Sequence, residues 1–130
     1  MNNANKLLNL AKSAAQNAYA PYSNFHVGAA ILSDSDKFYS GCNVENISFP
    51  VGTCAEAGAI AAMFNGGDKK IKEILIYAAS ESLITPCGAC RQRIAEFSTP
   101  KTLVHLANDD GIKQTLSIND LLPYTFKDIK

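Results

Sequence analysis

Leu7, Leu10, Ala11, Ala14, Ala15 and Ala18 recur at the spacing of one helix face, which predicts a helix over about residues 4–19, stopped by Pro21. After the Pro21-Tyr22-Ser23-Asn24 turn the pattern changes. Phe25 to Leu32 reads as a strand and Lys37 to Val44 as its antiparallel partner, joined across Ser33-Asp34-Ser35-Asp36. Thr53 to Phe64 is helical again and ends at Gly66-Gly67. Thr53 is the expected N-cap, which sets Cys54 and Glu56 in the first turn. Ile71 to Ala79 is a nearly unbroken apolar run, as expected of a strand covered on both faces. Pro86 stands where proline opens a helix, so Cys87 and Cys90 share a face of its first turn. Thr102 to Ala107 reads as a short strand and Ile118 to Leu122 as a helical turn. A hairpin followed by alternating helices and strands predicts the α/β class, a three-layer α-β-α sandwich with a mixed central sheet.

Composition narrows the setting. The chain has 130 residues, with 12 basic and 12 acidic side chains and a formal net charge of zero. No linker, repeat or low-complexity tract divides it, so one domain over residues 1–130 is expected. The densest basic cluster, Lys69, Lys70 and Lys72, reads as a solvated flank. Without excess positive charge, a nucleic-acid polymer is not an expected partner. No stretch approaches the roughly 20 apolar residues of a membrane span, so a soluble, cytoplasmic protein is expected. In that compartment the 4 cysteines would be reduced thiols, as the Cys-x-x-Cys spacing also favours.

Those thiols carry the chemistry. Cys54-Ala55-Glu56 and Pro86-Cys87-Gly88-Ala89-Cys90 together supply three soft ligands and one acid. That is the inventory of a catalytic zinc site: three protein ligands, an open position for water, and a base that is not a ligand. The same combination marks zinc-dependent deaminases in general. Helix starts suit it, because their partial positive charge and unpaired N–H groups stabilise thiolates. Three thiolates leave the centre with about one negative charge in excess, and Arg91, directly after Cys90, is the candidate donor to a sulfur. Two other readings use the same cysteines. A structural zinc would have Cys42 or a histidine as fourth ligand, and a thiol redox protein would use Cys87 with Cys90. Glu56, two residues from a ligand, favours catalysis, since a structural site has no use for it. Cys42 reads more simply as a small buried residue of the hairpin, His26 and His105 as structural, and Gly58 as a place where another backbone packs closely.

Asn43-Val44-Glu45-Asn46, Thr53-Cys54-Ala55-Glu56 and Pro86-Cys87-Gly88-Ala89-Cys90-Arg91-Gln92 resemble the successive motifs of the small, homotetrameric cytidine deaminases. The resemblance extends over Pro21-Tyr22-Ser23-Asn24-Phe25-His26-Val27-Gly28-Ala29-Ala30 and the closing Leu121-Leu122-Pro123-Tyr124-Thr125-Phe126, so it spans nearly the whole chain. It implies one zinc per subunit on Cys54, Cys87 and Cys90, with Glu56 as proton shuttle. The implied reaction is hydrolytic deamination of cytidine and 2'-deoxycytidine to uridine and 2'-deoxyuridine, with release of ammonia, in pyrimidine salvage. A modified cytosine nucleoside of the blasticidin type is the alternative substrate. Asn43 and Glu45 would bind the ribose hydroxyls, the Ala55 backbone and Glu56 the pyrimidine edge, and Phe25 would wall the pocket. Phe126 would reach the active site of a neighbouring subunit in a homotetramer with shared sites. The chain departs from the commonest pattern in two places. Ala57 follows Glu56 where many members have an arginine thought to balance the thiolate charge, and Phe49 replaces a frequent tyrosine.

Overall fold

The computed structural model describes residues 2–129. Helix α1 (Asn3–Ala15) buries Leu7, Ala11 and Ala15, and the Asn2 side chain caps it by accepting from the Ala4 N–H at 2.9 Å. It is shorter than the apolar spacing predicts, because the chain beyond Gln16 is drawn to the hairpin. There the Tyr19 N–H donates to the Asn43 carbonyl at 3.0 Å, and the Glu45 N–H donates to the Tyr19 carbonyl at 2.8 Å. A backbone partner distant in sequence has outweighed helix propensity.

Strands β1 (Val27–Ser33), β2 (Phe38–Cys42), β3 (Ile71–Ala78), β4 (Ser98–Asn108) and β5 (Gly111–Ser117) form a sheet in the order β2-β1-β3-β4-β5. The β3 and β4 pair is parallel and the other pairs are antiparallel, so the sheet is mixed. Sequence pattern missed β5. Its central Lys113, Gln114 and Thr115 are exposed on an edge strand, where little apolar alternation is needed. The reversal into it is made at Gly111, whose φ of 108° suits a residue without a Cβ.

The other face of the sheet carries α2 (Ala55–Asn65), α3 (Gly88–Glu96) and the single turn α4 (Ile118–Leu121). Ala59, Ile60, Met63, Ile94 and Leu121 from these helices pack on Ala29, Ile31, Ile74, Ile76, Val104 and Leu106. On the α1 face, Leu7, Ala11 and Ala15 pack on Ala30, Leu32, Leu75, Tyr77 and Ala107. Alternation along β1 and β3 thus feeds both cores, which gives the three layers expected. Two glycines let the layers approach. A Cβ at Gly28 would lie 1.9 Å from the Ala11 carbonyl oxygen, and one at Gly41 would lie 2.3 Å from the Ala59 nitrogen. Gly58, expected to be the close approach, has its nearest neighbours at an ordinary 3.5 Å, on Gly41 and Cys42. The tight side of that crossing belongs to the strand.

Candidate active site

Thr53 is not the N-cap of α2. Its backbone exchanges hydrogen bonds with Val44 at 2.9 and 3.0 Å, which holds it extended and moves the helix start one residue on. Cys54 therefore occupies the N-cap, with Glu56 in the first turn. At α3 the start moves two residues on: Cys87 is the N-cap and Pro86 precedes it instead of opening the helix. An N-cap side chain naturally meets the N3 residue, so Cys-x-x-Cys at a cap brings Cys87 and Cys90 together. Two helix starts then converge. The sulfurs of Cys54 and Cys87 lie 3.9 Å apart, and those of Cys54, Cys87 and Cys90 all lie within 4.8 Å of one another.

This geometry fits zinc. Tetrahedral ligands at the usual zinc–sulfur distance are separated by about 3.8 Å, whereas a disulfide would need about 2.05 Å. Among the described residues, neither Cys42 nor a histidine joins the cluster, so three sulfurs leave a fourth position open. Burial pushes the Cys54 and Cys90 thiols up. Cys87 is desolvated too, yet is held below the ordinary thiol value because the Cys90 backbone N–H, Cys90 and Cys54 hydrogen-bond its sulfur. Metal ligation overrides all three, since a coordinating thiol is deprotonated outright.

Glu56 is 4% exposed, and burial pushes its carboxyl above the ordinary 4.5. It lines a cavity of about 550 Å³ together with Cys54, Cys87, Ala55, Asn43, Glu45 and Phe25. Cys90 is fully buried behind it. Asn43 is fixed on both polar atoms, accepting from the Val27 N–H at 2.9 Å and donating to the Phe25 carbonyl at 2.8 Å. Glu45 accepts from the Tyr22 and Ser23 N–H groups at 3.0 and 3.2 Å and from the Ser23 hydroxyl. The Ser23 hydroxyl is the largest influence holding its carboxyl below the usual range.

Phe126 does not line this cavity. It is 65% exposed, and its carbonyl accepts from the Gln92 side chain at 2.9 Å. Phe49 lies at the cavity wall on a short 3-10 turn (Phe49–Val51), its ring tilted against Tyr22 with centroids 5.6 Å apart. Ile84 and Thr85, just before Pro86, also line the cavity and were not singled out from sequence. His105 is structural as expected: its ring nitrogens meet Glu73 at 2.7 Å and Thr115 at 2.8 Å.

Arg91 is not the sulfur donor. Its guanidinium donates to the Pro86 and Leu121 carbonyls at 2.9 and 2.8 Å, tying the α3 start to α4. Arg93 takes that place, with Nη1 donating to the Cys90 sulfur at 3.3 Å. Consecutive helical residues point away from each other, whereas residues three apart are neighbours. That rule was available from the sequence.

Comparison with known proteins agrees with this site. Residues 1–106 match the family described as "Cytidine and deoxycytidylate deaminase zinc-binding region". A cytidine deaminase from Sporosarcina psychrophila is 40% identical over 121 residues, covering 93% of this chain and 89% of that protein. One from Mycobacterium tuberculosis is 36% identical over 122 residues, covering 94% and 88%. The crystal structure of cytidine deaminase from Burkholderia pseudomallei superposes with a TM-score of 0.88 at 40% identity, covering 94% of this chain and 98% of that one. With the motif residues of two helix starts gathered around one cavity, the chain belongs to the cytidine and deoxycytidylate deaminase zinc-binding family.

Proposed function

We propose that residues 1–130 act as one domain that deaminates cytidine and 2'-deoxycytidine hydrolytically, as a hydrolase of the exocyclic C–N bond of a cyclic amidine. The observation that carries this is a buried acid, Glu56, on the wall of a cavity shared with the three-sulfur cluster, with Asn43 and Glu45 on the same cavity. Cys54, Cys87 and Cys90 would hold one zinc ion per chain. Zinc held there supplies Lewis acidity toward a water molecule.

Glu56 takes the proton that this water gives up and delivers it to the neighbouring ring nitrogen, N3. Oxygen adds to C4. Glu56 then moves the second proton from that oxygen to the exocyclic amine. The C4–N bond breaks, ammonia leaves and the C4 carbonyl of uridine forms, so one water is consumed for each ammonia released. A raised carboxyl value suits a group that must both accept and return protons. The Ala55 backbone and Glu56 would read the pyrimidine edge. Asn43 and Glu45 would take the sugar hydroxyls, and Phe25 would wall the base.

The chain is further read as a cytoplasmic homotetramer in pyrimidine salvage, with Phe126 reaching a neighbour's cavity. Exposed apolar residues near the cavity, Ile47 at 76%, Phe49 at 71% and Val51 at 63%, support an interface there. Among the described residues, no helix is long and apolar enough to cross a membrane. The test is ammonia release from cytidine, 2'-deoxycytidine and free cytosine. Turnover of both nucleosides with little of the base is expected. Release from cytosine alone would overturn the sugar assignments, and release from none would overturn the substrate class.

A further inference from the structure

We propose that Arg93 is a positioning residue of the metal centre, whose guanidinium offsets the charge of the three thiolates through the buried sulfur of Cys90. This rests on the metal-binding and deamination reading above. Arg93 is itself exposed, yet Nη1 reaches 3.3 Å from the sulfur of a residue with no exposure at all. The contact is local to α3: Cys90 and Arg93 are separated by one helical turn, so the element that presents the ligand also presents its donor. Cys54, Cys87 and Glu56 also lie within electrostatic reach of the guanidinium.

Charge balance gives the contact a role beyond packing. Ligating thiols are anionic, so a divalent ion held by three of them leaves about one excess negative charge next to Arg93. A cation there favours the loaded form. It also draws electron density from the sulfur, and a less electron-rich ligand leaves the metal a stronger Lewis acid. Arg91 cannot share this task, because its guanidinium is engaged by two backbone carbonyls, and residue 57, next to Glu56, is an alanine.

The test reads the metal centre directly. Zinc affinity is measured by competition with a chromophoric chelator, and the cobalt(II)-substituted protein reports sulfur donation through its near-ultraviolet charge-transfer band. In Arg93→Gln, affinity should fall by roughly 10- to 100-fold, and the band should move to longer wavelength as the sulfur loses its charged donor. Arg93→Lys should recover part of both. Turnover of cytidine should fall in kcat with KM near the parent value. Parent-like affinity and band position in Arg93→Gln would overturn the proposal. Should that variant misfold, Arg93→Met, which keeps bulk without a donor, is held to the same two readouts. A parent that shows the thiolate band but leaves cytidine intact would overturn the substrate reading and leave the Arg93 role standing. A parent that binds neither metal would overturn both.

Discussion

Glu45 shows how one side chain serves fold and site together. Its carboxylate gathers the Tyr22 and Ser23 N–H groups and the Ser23 hydroxyl, which fixes the loop beside the cavity and keeps the acid ionised. Ionised and aimed at the cavity, it would also accept from a sugar hydroxyl. Glu45→Gln should lower kcat/KM for cytidine by about 1–3 kcal/mol in transition-state terms, expressed mainly in KM, with zinc content unchanged. A KM equal to the parent's would remove Glu45 from the sugar contacts. At this scale the sequence was most legible in placement: Cys54, Cys87 and Cys90, singled out by type and spacing, lie in one cluster, and Glu56 lies on the cavity beside them. It was least legible for Arg91 and Arg93. Adjacency to Cys90 favoured the first, while helical geometry gives the contact to the second.

Elements carry the next set of consequences. The β1–β2 hairpin is tied to the end of α2 by Asp68, which accepts from Tyr39 at 2.7 Å, Ser35 at 2.8 Å and Ser33 at 2.9 Å. The Tyr39 hydroxyl is the largest influence, and the two serines add to it, holding the Asp68 carboxyl below its ordinary 3.8. As pH falls the unfolded chain takes up this proton first. The stabilisation is therefore whole above 3.8 and is lost as pH drops through the lower folded value. Tyr39→Phe should flatten the acid side of the stability curve in that window, checked by chemical denaturation at successive pH values. An acid limb identical to the parent's would show that Asp68 does not couple the hairpin to α2. Most elements were readable in advance because their periodicity is set by burial on a face. The exceptions have physical causes: α1 loses its last turn to the backbone of Asn43 and Glu45, and β5 lies exposed at the sheet edge. Both helix starts at the site fall later than expected, by one residue at α2 and by two at α3, which puts cysteines at the caps.

Across the whole molecule, the sulfurs join segments far apart in sequence, Cys54 at the start of α2 and Cys87 and Cys90 at the start of α3. A metal bound only by the folded chain stabilises it by mass action, by about 2.7 kcal/mol when free metal is one hundred times its dissociation constant. Chelation should therefore lower the melting temperature, and added zinc should restore it. An unchanged melting temperature would mean that the cluster takes up no metal. The sandwich also has its own support, because the described side chains leave no fully buried polar nitrogen or oxygen without a hydrogen-bond partner and two apolar cores lie on either side of the sheet. Glu56 lines the same cavity as Cys54 and Cys87 without being one of the three clustered sulfur ligands, so a Glu56→Gln variant can be asked to keep its zinc. The most direct measurement follows the ultraviolet change of cytidine with the zinc-loaded parent and with zinc-loaded Glu56→Gln. Conversion to uridine by the parent, with loss of turnover at full zinc content in the variant, is the expected result. Equal turnover by both, or none by a zinc-loaded and folded parent, would contradict a buried acid acting beside a three-cysteine zinc on a cytosine nucleoside.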